Sequence, residues 1–144
     1  ISITQYYIPD DETKTIKRLR FSENWEGDET IEYLHKIQKG HGEFVEVHED
    51  VNLIDTIDLI KKATKVIHKE RYIFKTNGLK FEVDEMQDMS LIIMEVELED
   101  INQEIQFPPE IQEQIIMEVT GIKELSNYNL AELTLEGLTS QYRK

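Results

Sequence analysis

Residues 65–86, KVIHKERYIFKTNGLKFEVDEM, decide the fold of this chain. Apolar and polar side chains alternate on both sides of Asn77-Gly78, and an Asn-Gly pair between two alternating runs is a strong local signal for a β-hairpin. The stretch therefore predicts two antiparallel strands, at 65–76 and 79–86, joined by a tight turn.

The same two-residue alternation continues through most of the first hundred residues, which favours a sheet protein. Further strands are predicted at 1–8, 14–22, 30–38, 43–51 and 90–99. Helical spacing of Ile54, Ile57, Ile60 and Ala63 predicts a short helix over 53–64. Two more helices are predicted at 109–117, after Pro108-Pro109, and at 128–142. The expected architecture is a single α+β domain, 1–144, built on an antiparallel sheet with flanking helices.

Composition limits the possible functions. The chain of 144 residues has a net charge of −14 and no cysteine, so neither disulfides nor thiolate chemistry is available. The acidic balance argues against a nucleic-acid partner. No apolar run of about eighteen residues is present, so a membrane span is not expected. These features predict a soluble, cytoplasmic protein that is a monomer or a homodimer.

Charge is unevenly distributed along the chain. Residues 1–80 hold 13 Lys/Arg against 15 Asp/Glu, whereas residues 81–144 hold 3 against 15. A fold that brings the two halves together would set a basic wall opposite an acidic one. Such walls suit an anion that is bridged through a divalent metal.

Charged residues also recur in pairs two positions apart, which places both members of a pair on one face of a strand. The pairs are Arg18 and Arg20, Glu46 and His48, Lys69 and Arg71, Glu82 and Asp84, and Glu95 and Glu97. Like charges held close together need counter-ions. Paired carboxylates suit Mg²⁺ or Mn²⁺, and paired cations suit a multiply charged phosphate anion. Phosphoryl transfer depends mainly on positioning and charge neutralisation, and these paired cations and carboxylates could supply both.

Seven segments in this order resemble the CYTH domain, or triphosphate tunnel metalloenzyme, family, which includes thiamine triphosphatases, inorganic tripolyphosphatases and class IV adenylate cyclases. The resemblance runs from about Gln5 to Ala131. The segments are TQYYI, IKRLR, YLHK, HKERY, KFEVDEM, IIMEVELED and PPEIQEQIIMEVTGIKELSNYNLA. The family fold implied by the resemblance is an antiparallel β-barrel with a charged tunnel.

The resemblance also implies roles for eleven residues. Asp84, Glu95 and Glu97, with Glu82, would hold Mg²⁺ or Mn²⁺. Arg18, Arg20, Lys69 and Arg71, with Glu46, would line the binding site for a triphosphate or nucleotide. Lys36, with Tyr7, would orient or deprotonate the attacking water. The implied activity is metal-dependent hydrolysis of tripolyphosphate, a nucleoside triphosphate or thiamine triphosphate.

The sequence departs from the family pattern at its start. The family opens with an E-x-E-x-K strand, and no such segment precedes Gln5. The expected barrel therefore lacks its opening strand in this sequence. Two alternatives follow: a module that binds nucleotides or polyphosphates without turnover, and an interaction protein whose acidic half meets a basic partner. Trp25, in the connection 22–29, is expected to anchor the loop or to pack on the sheet.

Overall fold

A computed structural model describes residues 1–12, 14–40, 43–100 and 102–142 of the protein. Eight strands form one sheet: β1 Ser2–Asp10, β2 Thr15–Glu23, β3 Glu29–Gly40, β4 Glu43–Glu49, β5 Lys65–Thr76, β6 Leu79–Met86, β7 Ile92–Val96 and β8 Glu132–Leu133. The helices are α1 Leu53–Lys62, α2 Pro109–Gln112, α3 Asn127–Leu130 and α4 Leu135–Tyr142, with a 3-10 turn at Lys123–Leu125. The predicted α+β class is confirmed.

The strand order is β4-β3-β2-β1-β5-β6-β7, and every neighbouring pair is antiparallel. The short β8 pairs with the beginning of β5. The predicted hairpin is present: β5 and β6 meet at Asn77 and Gly78, both in the left-handed backbone region with φ of 52° and 75°. Asn and Gly adopt that region more readily than other residues, which explains why this turn forms here.

The sheet is open among the described residues, so the expectation of a closed β-barrel was wrong for this part of the chain. β4 and β7 are its two edges, and neither pairs with the other in the described ranges. β7 is also short, with five residues, because regular pairing ends after Val96. Closure needs hydrogen-bonded strands all the way round, and these two edges supply none to each other.

The two faces of the sheet carry separate apolar cores. Ile8 and Leu19 pack with Ala63, just after α1, on one face, which we call the reverse face. Tyr7, Ile67 and other apolar residues pack on the opposite face. We call it the charged face because Arg71 and Asp84 also lie on it. Because Tyr7 and Ile8 are adjacent in β1, their side chains point to opposite sides of the sheet.

The helix predicted over 53–64 is present as α1. However, the isoleucines whose spacing predicted the helix do not all face the sheet. Thr56 is buried, and Leu59 and Ile60 pack on the reverse-face core, whereas Ile54 and Ile57 are exposed. Asn52 caps the helix by accepting a hydrogen bond from the Asp55 amide at 2.8 Å. The side of the helix that faces the sheet is therefore formed by Thr56, Leu59 and Ile60.

The two C-terminal helices are shorter than predicted. The segment 109–117 is helical only over Pro109–Gln112, and the segment 128–142 is divided into α3, β8 and α4. Ala131 has extended backbone, and the next two residues pair with β5. Pairing with β5 satisfies backbone groups that a continuous helix would satisfy internally, and this interrupts the helix.

Candidate functional site

One face of the sheet carries all eleven residues that the sequence singled out. Cross-strand partners lie on the same side of a sheet, and the side alternates along each strand. Tyr7 of β1 is opposite Arg18, Lys36 is opposite Glu46, Arg71 is opposite Asp84, and Glu82 is opposite Glu95. Arg20 and Lys69 lie an even number of residues away on the same strands. Glu97 follows β7 and lies 3.9 Å from Lys80 on this face. This is the charged face.

Asp84 of β6 is the centre of an ion-pair network on the charged face. It accepts a hydrogen bond from Lys69 Nζ at 2.8 Å, and two from Arg71, from Nε at 2.7 Å and from Nη2 at 2.9 Å. The side chains of Lys69 and Asp84 are 0% and 4% exposed. A buried lysine next to a buried carboxylate is stable only as a pair, so the two strands are tied together at this point.

The pKa values of the pair follow from this geometry. Burial lowers the pKa of Lys69, although the contact with Asp84 acts in the opposite direction. Burial alone would raise the pKa of Asp84, but the hydrogen bonds from Arg71 and Lys69 outweigh it and hold that pKa below its usual range. Asp84 is therefore a carboxylate at neutral pH.

Arg18 and Arg20 of β2 lie next to this network and have no carboxylate within 4.0 Å among the residues that the structure describes. The buried Nε of Arg18 finds no hydrogen-bond partner in the same ranges. Burial and the positive charges of Arg18 and Arg71 lower the pKa of Arg20. Neighbouring guanidinium groups with unused donors are chemically able to bind an anion such as phosphate.

Gln5 is a site residue that the sequence analysis missed. It is fully buried in β1, accepts a hydrogen bond from Arg20 Nε at 2.6 Å and donates one to the Tyr7 hydroxyl at 3.0 Å. Gln5 thus holds Arg20 and Tyr7 in fixed positions relative to each other. The sequence did contain a signal for this role. Gln5 is a polar residue on the same side of β1 as the buried Ile3 and Tyr7, and a buried polar residue needs hydrogen-bond partners.

Burial dominates the environment of Tyr7. It raises the pKa of the phenol, while the nearby Arg18 and Arg20 and the hydrogen bond from Gln5 act in the opposite direction. Tyr7 is therefore a neutral hydroxyl at pH 7, able to accept from Gln5 and to donate to a ligand.

The carboxylates predicted to bind metal fall into two groups. Asp84 and Glu82 are engaged by cations, with Arg71 Nη1 at 3.0 Å and Lys80 Nζ at 3.4 Å from Glu82. Glu97 is 69% exposed and 3.9 Å from Lys80, and Glu95 is exposed on β7. In the described ranges no three Asp, Glu or His residues are grouped closely enough to hold a metal ion.

Lys36 and Glu46 lie at the opposite edge of the charged face, on β3 and β4. Both side chains are exposed, and Glu46 is 3.8 Å from His48 on the same strand. Five inter-strand steps separate Lys36 on β3 from Glu95 on β7, which is about 24 Å measured along the sheet. The structure therefore brings together the residues of β1, β2, β5 and β6, and leaves Lys36 and Glu46 on one side and Glu95 and Glu97 on the other.

The segment around α3 covers one end of the charged face. Lys69 Nζ is 3.3 Å from Asn127 Oδ1, and Lys65 Nζ donates to the Tyr128 carbonyl at 2.9 Å. The ring of Tyr128 packs edge-on against Tyr7, with centroids 5.3 Å apart. Ser126 caps α3 by accepting from the Asn129 amide. These contacts shield the inner end of the Lys69–Asp84 pair from water.

Comparisons with known proteins add little to this geometry. No family model matches the chain, and no curated protein matches it. Among solved structures, the chain is similar to the crystal structure of the hypothetical protein NE1496, with 20% sequence identity, a TM-score of 0.45, and coverage of 92% of this chain and 86% of that chain. A TM-score of this size does not establish a shared fold. No helix in the described part of the chain is both long and apolar enough to cross a bilayer. The resemblance to the CYTH family stays a prediction.

Proposed function

We propose that this protein is a metal-dependent hydrolase of triphosphate-containing molecules, which bind on the charged face. The observation that carries the proposal is the shared face: residues from seven strands, singled out in the sequence for phosphate and metal chemistry, have their side chains on one side of one sheet.

The phosphates would bind first to Arg18 and Arg20. Their donors have no carboxylate partner in the described ranges, whereas Lys69 pairs with Asp84, and Arg71 pairs with both Asp84 and Glu82. Mutual repulsion of the guanidinium groups is relieved when an anion enters, which favours binding. Gln5 fixes the position of Arg20, so little side-chain entropy is lost on binding.

Glu95 on β7 and Glu97 just after it would hold the divalent cation together with the substrate. Mg²⁺ is commonly held by one or two carboxylates together with substrate phosphates, not by an all-protein cage. Glu95 and Glu97 are exposed, point to the charged face and could serve in this way. A bound metal would supply charge neutralisation of the phosphoryl oxygens. Lys36 and Tyr7 would position the attacking water, and Lys36 would have to approach across the face, which requires the β4 and β7 edges to curl toward each other.

A second function, binding without hydrolysis, is favoured by one observation. Asp84 and Glu82, half of the proposed metal set, already pair with cations. Arg18 and Arg20, which have no carboxylate partner in the described ranges, could retain a polyphosphate without activating water.

Phosphate release separates the two functions. The protein is incubated with tripolyphosphate, ATP or thiamine triphosphate in the presence of Mg²⁺ or Mn²⁺, and released phosphate is measured. The hydrolase proposal predicts release that is lost in Glu95→Gln and Lys36→Ala. Glu85→Gln is the matched control, because Glu85 is an exposed carboxylate on the reverse face of β6. If no phosphate is released although calorimetry detects tripolyphosphate binding, the hydrolase proposal is wrong and the binding function remains.

Binding is tested separately with the double variant Arg18→Gln/Arg20→Gln. We expect a large loss of tripolyphosphate affinity, since hydrogen bonds to charged groups are among the stronger ones. Lys61→Gln/Lys62→Gln removes the same charge from exposed positions in the last turn of α1 and is expected to bind normally. Equal affinity of both double variants would show that the phosphates do not bind at β2.

A further inference from the structure

A cavity of about 380 Å³ lies on the reverse face, on the opposite side of the sheet from the eleven residues of the charged face. It is lined by Ile1, Ser2, Glu23, Asn24, Trp25, Glu70 and Tyr72. Ser2 is opposite both Glu23 of β2 and Glu70 of β5, so the two carboxylates flank it at about 10 Å from each other. Small-molecule sites begin at about this volume.

Two exposed aromatic rings form the wall of this cavity. Trp25 is 78% exposed and Tyr72 is 43% exposed, with ring centroids 6.5 Å apart and planes inclined by 52°. Trp25 therefore contacts the sheet through Tyr72 of β5 but leaves most of its own surface in water. Exposed aromatic rings that lie next to each other on an ordered surface are typical of sites that bind another molecule.

The loop that carries Trp25 is well ordered by hydrogen bonds. Asn24 Oδ1 accepts from the amides of Glu26 at 3.0 Å and Asp28 at 2.9 Å, and the Asn24 amide donates to the Asp28 carbonyl at 3.0 Å. Gly27 adopts φ of 87°, which closes the turn. This framework fixes the backbone of the loop, which places Trp25 next to Tyr72 before a ligand binds.

The cavity is electronegative. Its lining residues include two carboxylates and one cation, the α-ammonium group of Ile1, so one negative charge is left over. Glu70 accepts hydrogen bonds from the Ser2 hydroxyl at 2.7 Å and from the α-ammonium group of Ile1 at 3.0 Å, and these contacts lower the pKa of Glu70. Glu23 is exposed on the other side of Ser2 and leaves its charge available.

We propose that this cavity binds a small organic cation, with a quaternary or alkylated ammonium group over the Trp25 ring and next to Glu23. Trp is the best aromatic partner for a cation, and a ring together with a nearby carboxylate selects positive charge over a neutral molecule of the same shape. The site lies on the opposite side of the sheet from the proposed phosphate site, because Glu70 and Tyr72 alternate with Lys69 and Arg71 along β5. It is therefore independent of the proposed function.

Trp25 is the single tryptophan of the chain, so its fluorescence reports on this cavity alone. The protein is titrated with tetramethylammonium chloride at constant ionic strength, with 3,3-dimethylbutan-1-ol as a neutral molecule of similar shape. We expect a saturable change in emission with the cation and none with the alcohol. Glu23→Gln and Tyr72→Leu, which retain the reporter, should each weaken binding by about two- to fivefold.

Glu110→Gln is the matched control, because it removes an exposed carboxylate on α2 outside the cavity. It should bind the cation as the unmodified protein does. An equal response to the alcohol, a linear response without saturation, or unchanged affinity in Glu23→Gln and Tyr72→Leu would each overturn the proposal. Circular dichroism of each variant shows whether it has kept the fold.

Discussion

Replacing Asp84 by Asn tests the ion-pair network that organises the charged face. The substitution preserves the shape of the side chain but removes the negative charge between Lys69 and Arg71. Because the Lys69 side chain is 0% exposed, its ammonium would be left buried with no counter-charge at hydrogen-bond distance among the described residues. Removing one partner of a buried pair typically costs about 3–5 kcal/mol, a large part of the total stability of a single domain, which is roughly 5–15 kcal/mol.

Urea unfolding followed by circular dichroism measures this loss. With a denaturant dependence of about 2 kcal/mol per molar urea, the midpoint should fall by roughly 2 M. Glu97→Gln is the control, since Glu97 is 69% exposed and 3.9 Å from Lys80, and exposed pairs contribute about 1 kcal/mol or less. Adding Lys69→Met to Asp84→Asn should recover part of the stability, because the buried charge is then gone. A loss for Asp84→Asn as small as that for Glu97→Gln would refute the assignment of a buried pair.

The pH dependence of the same variant gives a second test. The pKa of Asp84 is lower in the folded protein than in the unfolded chain, so its stabilising contribution is complete above the unfolded value of about 3.9 and is lost as the pH falls through the folded value. The stability difference between the unmodified protein and Asp84→Asn should therefore be constant near neutral pH and shrink in acid. A difference that stays constant down to complete acid unfolding would contradict the pairing.

Three other substitutions test further parts of the structure. Gln5→Leu should lower the free energy of unfolding by about 1–3 kcal/mol, because Arg20 loses its buried acceptor, and calorimetry should show weaker tripolyphosphate binding; unchanged binding would remove Gln5 from the site. Gly78→Ala should cost about 1–2 kcal/mol in urea unfolding, because φ of 75° strains a residue with a Cβ atom; an unchanged midpoint would mean that the turn relaxes freely. Phe81→Ala should cost about 3–5 kcal/mol, because Phe81 is fully buried and its ring stacks on Phe74 at 4.9 Å; a loss below 1 kcal/mol would show that the reverse face has no packed layer at this point.

Local pattern in the sequence was enough to predict the strands and the residues that share a face within each strand. The predicted hairpin at Asn77-Gly78 is confirmed. Its sequence signal is a turn-forming pair between two alternating runs, and this signal depends only on neighbouring residues. The pairing of Arg18 with Arg20, or of Glu95 with Glu97, on one side of a strand follows from the same two-residue period. For this reason seven of the eight strands could be predicted, whereas β8, with two residues, has no period to detect.

Only the tertiary structure decided which strands meet and therefore which charges face each other. Backbone hydrogen bonds are alike for any two strands, so strand order is decided by packing across the whole sheet and not by local pattern. The order places β1 between β2 and β5, which brings Gln5 to Arg20 and directs Asp84 to Lys69 and Arg71. It also leaves β4 and β7 as open edges. The charged residues were visible in the sequence, but their partners were decided by contacts between strands that are far apart in the chain.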